Sequence, residues 1–189
     1  MNQLGKEVND NMNPDNYVWY VSYGSNMLRE RFMCYIKGGQ FEGCGKYHEP
    51  CGDTSDPVAV ATYDIPYDMY FRNSSASWGG KGVSFLDISK QGHALGVAYL
   101  ITREQFDHVA LQENGGHQLL DAWYNTIISI GMLDGHEVVT ITNNAVCDFN
   151  APSDGYLDTL HRGIAENYKD LGNDEIDRYL QSCIRLANN

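Results

Sequence analysis

One junction near the start of the chain restricts its fold more than any other feature. Residues 17–23 read Tyr-Val-Trp-Tyr-Val-Ser-Tyr, aromatic or β-branched almost throughout, which predicts a buried strand. Gly24-Ser25-Asn26 breaks that run. Over 27–37, Leu28, Phe32, Tyr35 and Ile36 then recur at helical spacing, and Gly38-Gly39 ends the helix. Ser25 or Asn26 stands where a helix cap belongs. A strand that turns straight into a helix leaves unpaired backbone N–H groups, which together with the helix dipole favour an anion. Gly24 lets a ligand approach the backbone closely. On these residues alone two readings stand: a cradle for a carboxylate or phosphate, and an ordinary capped turn. The spacing of a Walker phosphate loop is missing. So are the flanking glycines of a Gly-x-Ser-x-Gly elbow.

Further strands are expected over 58–65, 69–71, 82–88, 94–101, 123–130 and 137–142. Thr102 and Gln105 form a capping-box pattern that opens a helix through about Leu111. Leu157, Leu160, Ile164, Tyr168 and Leu171 mark one C-terminal helix, stopped by Gly172. Asn173 caps another, striped by Ile176, Leu180, Cys183 and Ile184. Residues 38–57 are loop-like, rich in Gly and Cys. Strands in the centre and helices at the ends predict an α+β fold, a small mixed β-barrel or sheet with flanking helices. Residues 1–16 read as a flexible N-terminal arm, and 17–189 as a single domain.

Composition narrows the partners. A net charge of -12 repels nucleic acid and anionic lipid, so neither is expected as a partner. The N-terminus lacks an apolar signal core, and no apolar run reaches the roughly 20 residues that span a bilayer. With no export signal, the five cysteines read as reduced thiols in a cytoplasmic protein. Cys44, His48 and Cys51, with Cys34 or Glu49, have spacing that admits a metal but match no standard knuckle. Glu113 and His117, four apart, are a weaker pair, since Gly115-Gly116 argues against a helix between them. No metal and no cofactor are expected. The oligomeric state is left open.

Tyr20-Val21-Ser22-Tyr23-Gly24-Ser25-Asn26-Met27 resembles the N-terminal signature of the γ-glutamylcyclotransferase-like family, which includes AIG2-like and BtrG-like proteins. Three more anchors follow in family order. Residues 92–99, Gly-His-Ala-Leu-Gly-Val-Ala-Tyr, resemble the central hairpin. Gln112-Glu113 stands where the family carries its catalytic glutamate. Residues 151–156, Ala-Pro-Ser-Asp-Gly-Tyr, resemble the segment leading into the C-terminal helix. The resemblance implies a small-molecule γ-glutamyl substrate, whose α-amine attacks its own γ-carbonyl to give 5-oxoproline and a free amine. It makes Glu113 the catalytic acid and base and Tyr20, Val21, Ser22, Tyr23, Gly24, Ser25 and Asn26 the substrate cradle. Tyr156 and Tyr124 become pocket residues.

That chemistry needs no enzyme nucleophile, but it needs one carboxyl group whose pKa is raised by burial. Glu113 follows an apolar helical stretch and precedes two glycines, at a helix end facing a turn. The chain departs from the family at Asn114, where Gly is common, in the spacing between Glu113 and Tyr124, and in the 38–57 loop, which the pattern reads as setting specificity. Two alternatives accompany the enzyme: a metabolite-binding protein with the same cradle, and a related amide hydrolase or acyltransferase.

Overall fold

The computed structural model describes residues 16–116 and 123–186. The arm expected over 1–16 therefore lies, but for Asn16, outside the described residues, as does His117. The strand β1 (Tyr17–Ser22) is buried almost end to end, as its composition demands. It has neighbours on both sides. β7 (Ala94–Thr102) runs antiparallel to it, with Tyr20 opposite Tyr99, and β9 (His136–Thr142) runs parallel, with Tyr20 opposite Val139. β4 (Ala59–Ile65) and β8 (Thr126–Leu133) complete a five-stranded mixed sheet in the order β4-β7-β1-β9-β8. β5 (Asp68–Ser75) and β6 (Lys81–Asp87) form a separate hairpin. Gly79 and Gly80, both with positive φ, turn the chain between them after a short 3-10 turn, Ala76–Trp78.

Of the barrel and the sheet that the sequence admits, the chain forms the open sheet. Its two edge strands, β4 and β8, share no backbone ladder. They are joined by a side chain: the Tyr63 hydroxyl donates to the Ile130 carbonyl at 2.8 Å. Gly131 lets the ring in, since a Cβ there would stand 2.6 Å from the Tyr63 hydroxyl oxygen.

Two short strands, β2 (Gly39–Gln40) and β3 (Tyr47–His48), pair within the segment expected as loop. Four helices flank the sheet: α1 (Arg29–Lys37), α2 (Arg103–Glu113), α3 (Asp154–Asn167) and α4 (Asn173–Leu186). Aromatic packing joins α1 and α2 to β1. The Tyr20 ring lies 5.9 Å from Phe32 of α1 and 5.8 Å from Phe106 of α2, and Phe32 stacks on Tyr99 at 4.0 Å. The expected capping box at Thr102 and Gln105 is complete, with both reciprocal bonds formed.

The turn after β1 differs from expectation. Ser25–Met27 form a 3-10 turn and α1 starts only at Arg29; neither helix end carries a side-chain cap. The turn is held from outside. The Tyr99 hydroxyl contacts the carbonyls of Asn26 (2.9 Å) and Met27 (3.1 Å), and Asn167 of α3 donates to Met27 at 3.2 Å. Gly163 brings α3 against the turn, for a Cβ there would meet the Leu28 nitrogen at 2.6 Å. Ser25 and Asn26 are thus free of any capping duty.

Candidate active site

A cavity of about 480 Å³ opens beside this turn, within the size range of small-molecule sites. Tyr20, Ser22, Tyr23, Gly24, Ser25, Asn26, Glu113, Tyr124 and Tyr156 all line it. Val21 does not. Strand alternation puts it on the other face of β1, where its side chain packs so close to Gly96 that a Cβ there would lie 2.6 Å away.

Glu113 is the last residue of α2. Oε1 accepts a hydrogen bond from the Asn26 side-chain amide at 2.7 Å, so acid and turn share one cavity wall. Burial pushes the Glu113 carboxyl above its ordinary range. The positive charges of Arg31 and Lys46 and hydrogen bonds from Tyr35 and Asn26 oppose that rise. Asn26 Oδ1 is buried without a hydrogen-bond partner.

The amides of Ser25 and Asn26 open the 3-10 turn and have no carbonyl within it to bind. Because α1 begins four residues after Ser25, these amides act as individual donors, with little help from a helix dipole. Gly24 is required by closeness. A Cβ there would stand 2.9 Å from the Tyr156 hydroxyl oxygen.

The tyrosines are fixed by Ser84 of β6. Tyr156 Oη accepts from the Ser84 amide and contacts its hydroxyl, both at 3.1 Å, while Tyr124 donates to the Ser84 carbonyl at 3.2 Å. Burial pushes the Tyr156 phenol up to about 12 and holds Tyr20, Tyr23 and Tyr124 well above their usual range. All four are neutral hydroxyls at physiological pH.

Tyr124 precedes β8 rather than lying on a strand. The Asn114 side chain replaces a ladder there: its Oδ1 accepts from the Tyr124 amide and its Nδ2 donates to the Tyr124 carbonyl, both at 3.1 Å. The departure from the family pattern at Asn114 thus anchors a pocket residue.

The sequence did not single out three residues of the cavity wall: Arg31, Tyr35 and Lys46. Arg31 had a signal. It lies one turn before Tyr35 on the face of α1 that carries Phe32, and a charge at an inward-facing position rarely lacks a role. Lys46, whose Nζ donates to the Gln112 carbonyl at 2.7 Å, had none. Trp78 lines the mouth and packs edge-on against Tyr156, with ring centroids 4.9 Å apart. The metal spacing at Cys44, His48 and Cys51 is put to other use, for both His48 ring nitrogens are engaged by Gln112 and Arg31. No cluster of three or more potential metal ligands exists among the described residues.

No family model matches the chain. It is 32% identical over 205 residues to histone deacetylase 5 of Arabidopsis thaliana, a match taking in 88% of this chain and 31% of that protein. The chain thus spans about a third of the length of that curated relative. Among solved structures it is similar to a gamma-glutamyl cyclotransferase, with a TM-score of 0.59, 17% identity and 86% of each chain covered. An uncharacterized human protein gives a TM-score of 0.58 and 18% identity, over 87% of this chain and 86% of that one. YkqA from Bacillus subtilis gives 0.53 and 16%, over 89% of this chain and 54% of that one. At these identities the likeness concerns architecture: the chain has the γ-glutamylcyclotransferase-like fold.

Proposed function

We propose that the chain is a cofactor-free enzyme that cleaves a γ-glutamyl amide by cyclisation, releasing 5-oxoproline and an amine. One observation carries this reading: Glu113 and the Tyr23-Gly24-Ser25-Asn26 turn face a single cavity, joined by a 2.7 Å hydrogen bond. The Ser25 and Asn26 amides hold the substrate α-carboxylate. The unpartnered Asn26 Oδ1 accepts a hydrogen bond from the α-ammonium group and aims that nitrogen towards Glu113.

Glu113 takes one proton from the α-ammonium group, and the freed amine attacks the γ-carbonyl carbon. One C–N bond forms to close the five-membered ring. The amide C–N bond breaks as the same carboxyl gives that proton to the departing nitrogen, and the second proton of the former ammonium group leaves the ring nitrogen through the regenerated carboxylate to the free amine. Burial that raises the Glu113 pKa suits it to both transfers. Neutral Tyr124 and Tyr156 supply rigid walls and hydroxyls. The five free cysteines support a cytoplasmic setting.

The test is release of 5-oxoproline from a panel of γ-glutamyl amines and peptides, with Glu113→Gln as control. Turnover by the wild type and none by the variant is expected. A ligand that binds the wild type unchanged across the whole panel would favour the metabolite-binding alternative.

A further inference from the structure

The segment between α1 and β4 reaches the acid through one buried histidine. His48 is 1% exposed, and its ring packs on that of Tyr35 with centroids 4.0 Å apart. Its two nitrogens have distinct partners: Nδ1 lies 2.7 Å from Gln112 Oε1, and Nε2 lies 2.9 Å from Arg31 Nη1. The Gln112 amide nitrogen is committed as donor to the carbonyls of Tyr35 and Glu49, each at 3.0 Å, so Oε1 can only accept. Nδ1 therefore carries the ring proton and the Nε2 lone pair faces Arg31, which has only donors. A protonated ring would set two N–H groups and two positive charges against each other. Burial and the Arg31 charge accordingly hold His48 neutral.

Arg31 is 2% exposed. Its Nη2 donates to the Tyr35 hydroxyl at 3.1 Å, its guanidinium lies 4.7 Å from the Tyr35 ring centroid, and Nε has no partner. Tyr35 and Glu113 line the same cavity, and the Tyr35 hydroxyl favours the ionised acid. A chain of contacts thus runs Gln112–His48–Arg31–Tyr35 to the Glu113 end of the cavity, and Gln112 and Glu113 are neighbours on α2.

We infer that His48 is a positioning residue which, locked by Gln112, holds the Arg31 guanidinium against Tyr35 at the Glu113 end of the cavity. The idea rests on Glu113 being the working acid and adds a residue that touches neither substrate nor acid. The other groups facing Glu113 do not depend on His48. Lys46 is fixed on the Gln112 carbonyl, and Tyr20, Tyr23, Tyr124 and Tyr156 are neutral. Without the Nε2 acceptor, the guanidinium loses the bond that aims it, and the carboxylate loses part of the positive field that favours it.

The experiment reads proton affinity directly in the ligand-free full chain. Carbon-13 NMR titration of labelled glutamate, with Glu113 assigned by its loss in Glu113→Gln, gives the carboxyl midpoint. His48→Leu should raise it by up to about one pH unit, and Arg31→Met at least as far. His48→Gln, which keeps an acceptor near the Nε2 position, should stay with the wild type. An unmoved midpoint in folded His48→Leu or Arg31→Met overturns the proposal. Nitrogen-15 NMR of the wild type needs no variant: it should show a neutral ring protonated on Nδ1 at pH 7, and an Nε2–H tautomer or a charged ring also overturns it. Neither measurement requires turnover. A chain that released no 5-oxoproline would refute the cyclase reading, whereas an unmoved Glu113 midpoint would refute the His48 role, so the two failures are told apart.

Discussion

The side-chain amide of Asn26 donates to Oε1 of Glu113 across 2.7 Å, joining residues 87 positions apart. Burial favours the protonated acid, while this bond favours the carboxylate. The proton affinity of the acid is therefore set by neighbours that can be changed one at a time.

Glu113→Gln should lose about 10²-fold or more in kcat while ligand affinity changes little, because shape and hydrogen bonding persist and the proton transfer does not. Steady-state kinetics beside calorimetric titration with a γ-glutamyl ligand checks this. A fully active variant would remove Glu113 from the mechanism.

Asn26→Asp should slow turnover at neutral pH. It sets a second carboxyl 2.7 Å from the first, so one of the pair must hold a proton. The acidic limb of the pH–rate profile should move to higher pH. An unchanged profile would mean that the two groups do not interact in solution.

Gly24→Ala should weaken substrate binding, since the new Cβ meets the Tyr156 hydroxyl oxygen at 2.9 Å. Adding Tyr156→Phe removes that oxygen and should recover much of the lost affinity. A double variant as weak as or weaker than Gly24→Ala alone would show that the clash lies elsewhere.

Gly163→Ala should destabilise the fold by about 1–3 kcal/mol. Its Cβ would press on the backbone of Met27 and Leu28, which cannot swing aside as a side-chain tip can. Urea unfolding measures the loss.

Stability should fall as pH drops from 6.5 to about 4, the window over which His48 accepts a proton when unfolded but not when folded. The folded pKa is depressed by burial and by Arg31, so this contribution is complete above 6.5 and lost below. His48→Gln should flatten that part of the curve, as followed by urea midpoints across the pH range.

Much of this architecture was legible because it is written locally. The residues of β1 announce a buried strand, and Thr102 and Gln105 announce the start of α2. Other features depend on distant contacts. No local signal distinguishes Ser25–Met27 as a 3-10 turn, because Tyr99, Gly163 and Asn167 hold it there. Tyr124 sits off a strand because Asn114 captures its backbone. The extension of β8 to Leu133 did have a signal. Asp134-Gly135, both with positive φ, is a two-residue hairpin turn that carries the pairing out to Leu133 and His136. In the site, the acid and the turn follow from short motifs, whereas Arg31, Tyr35 and Lys46 meet there only through packing.

The Tyr63 hydroxyl at the rim gives the scaffold an unusual freedom. Where a closed barrel fixes its girth by strand number and stagger, here a single phenol spans the gap between outer strands. The spacing of the two outer strands at this point is thus set by the reach of one side chain, with Gly131 making room for it.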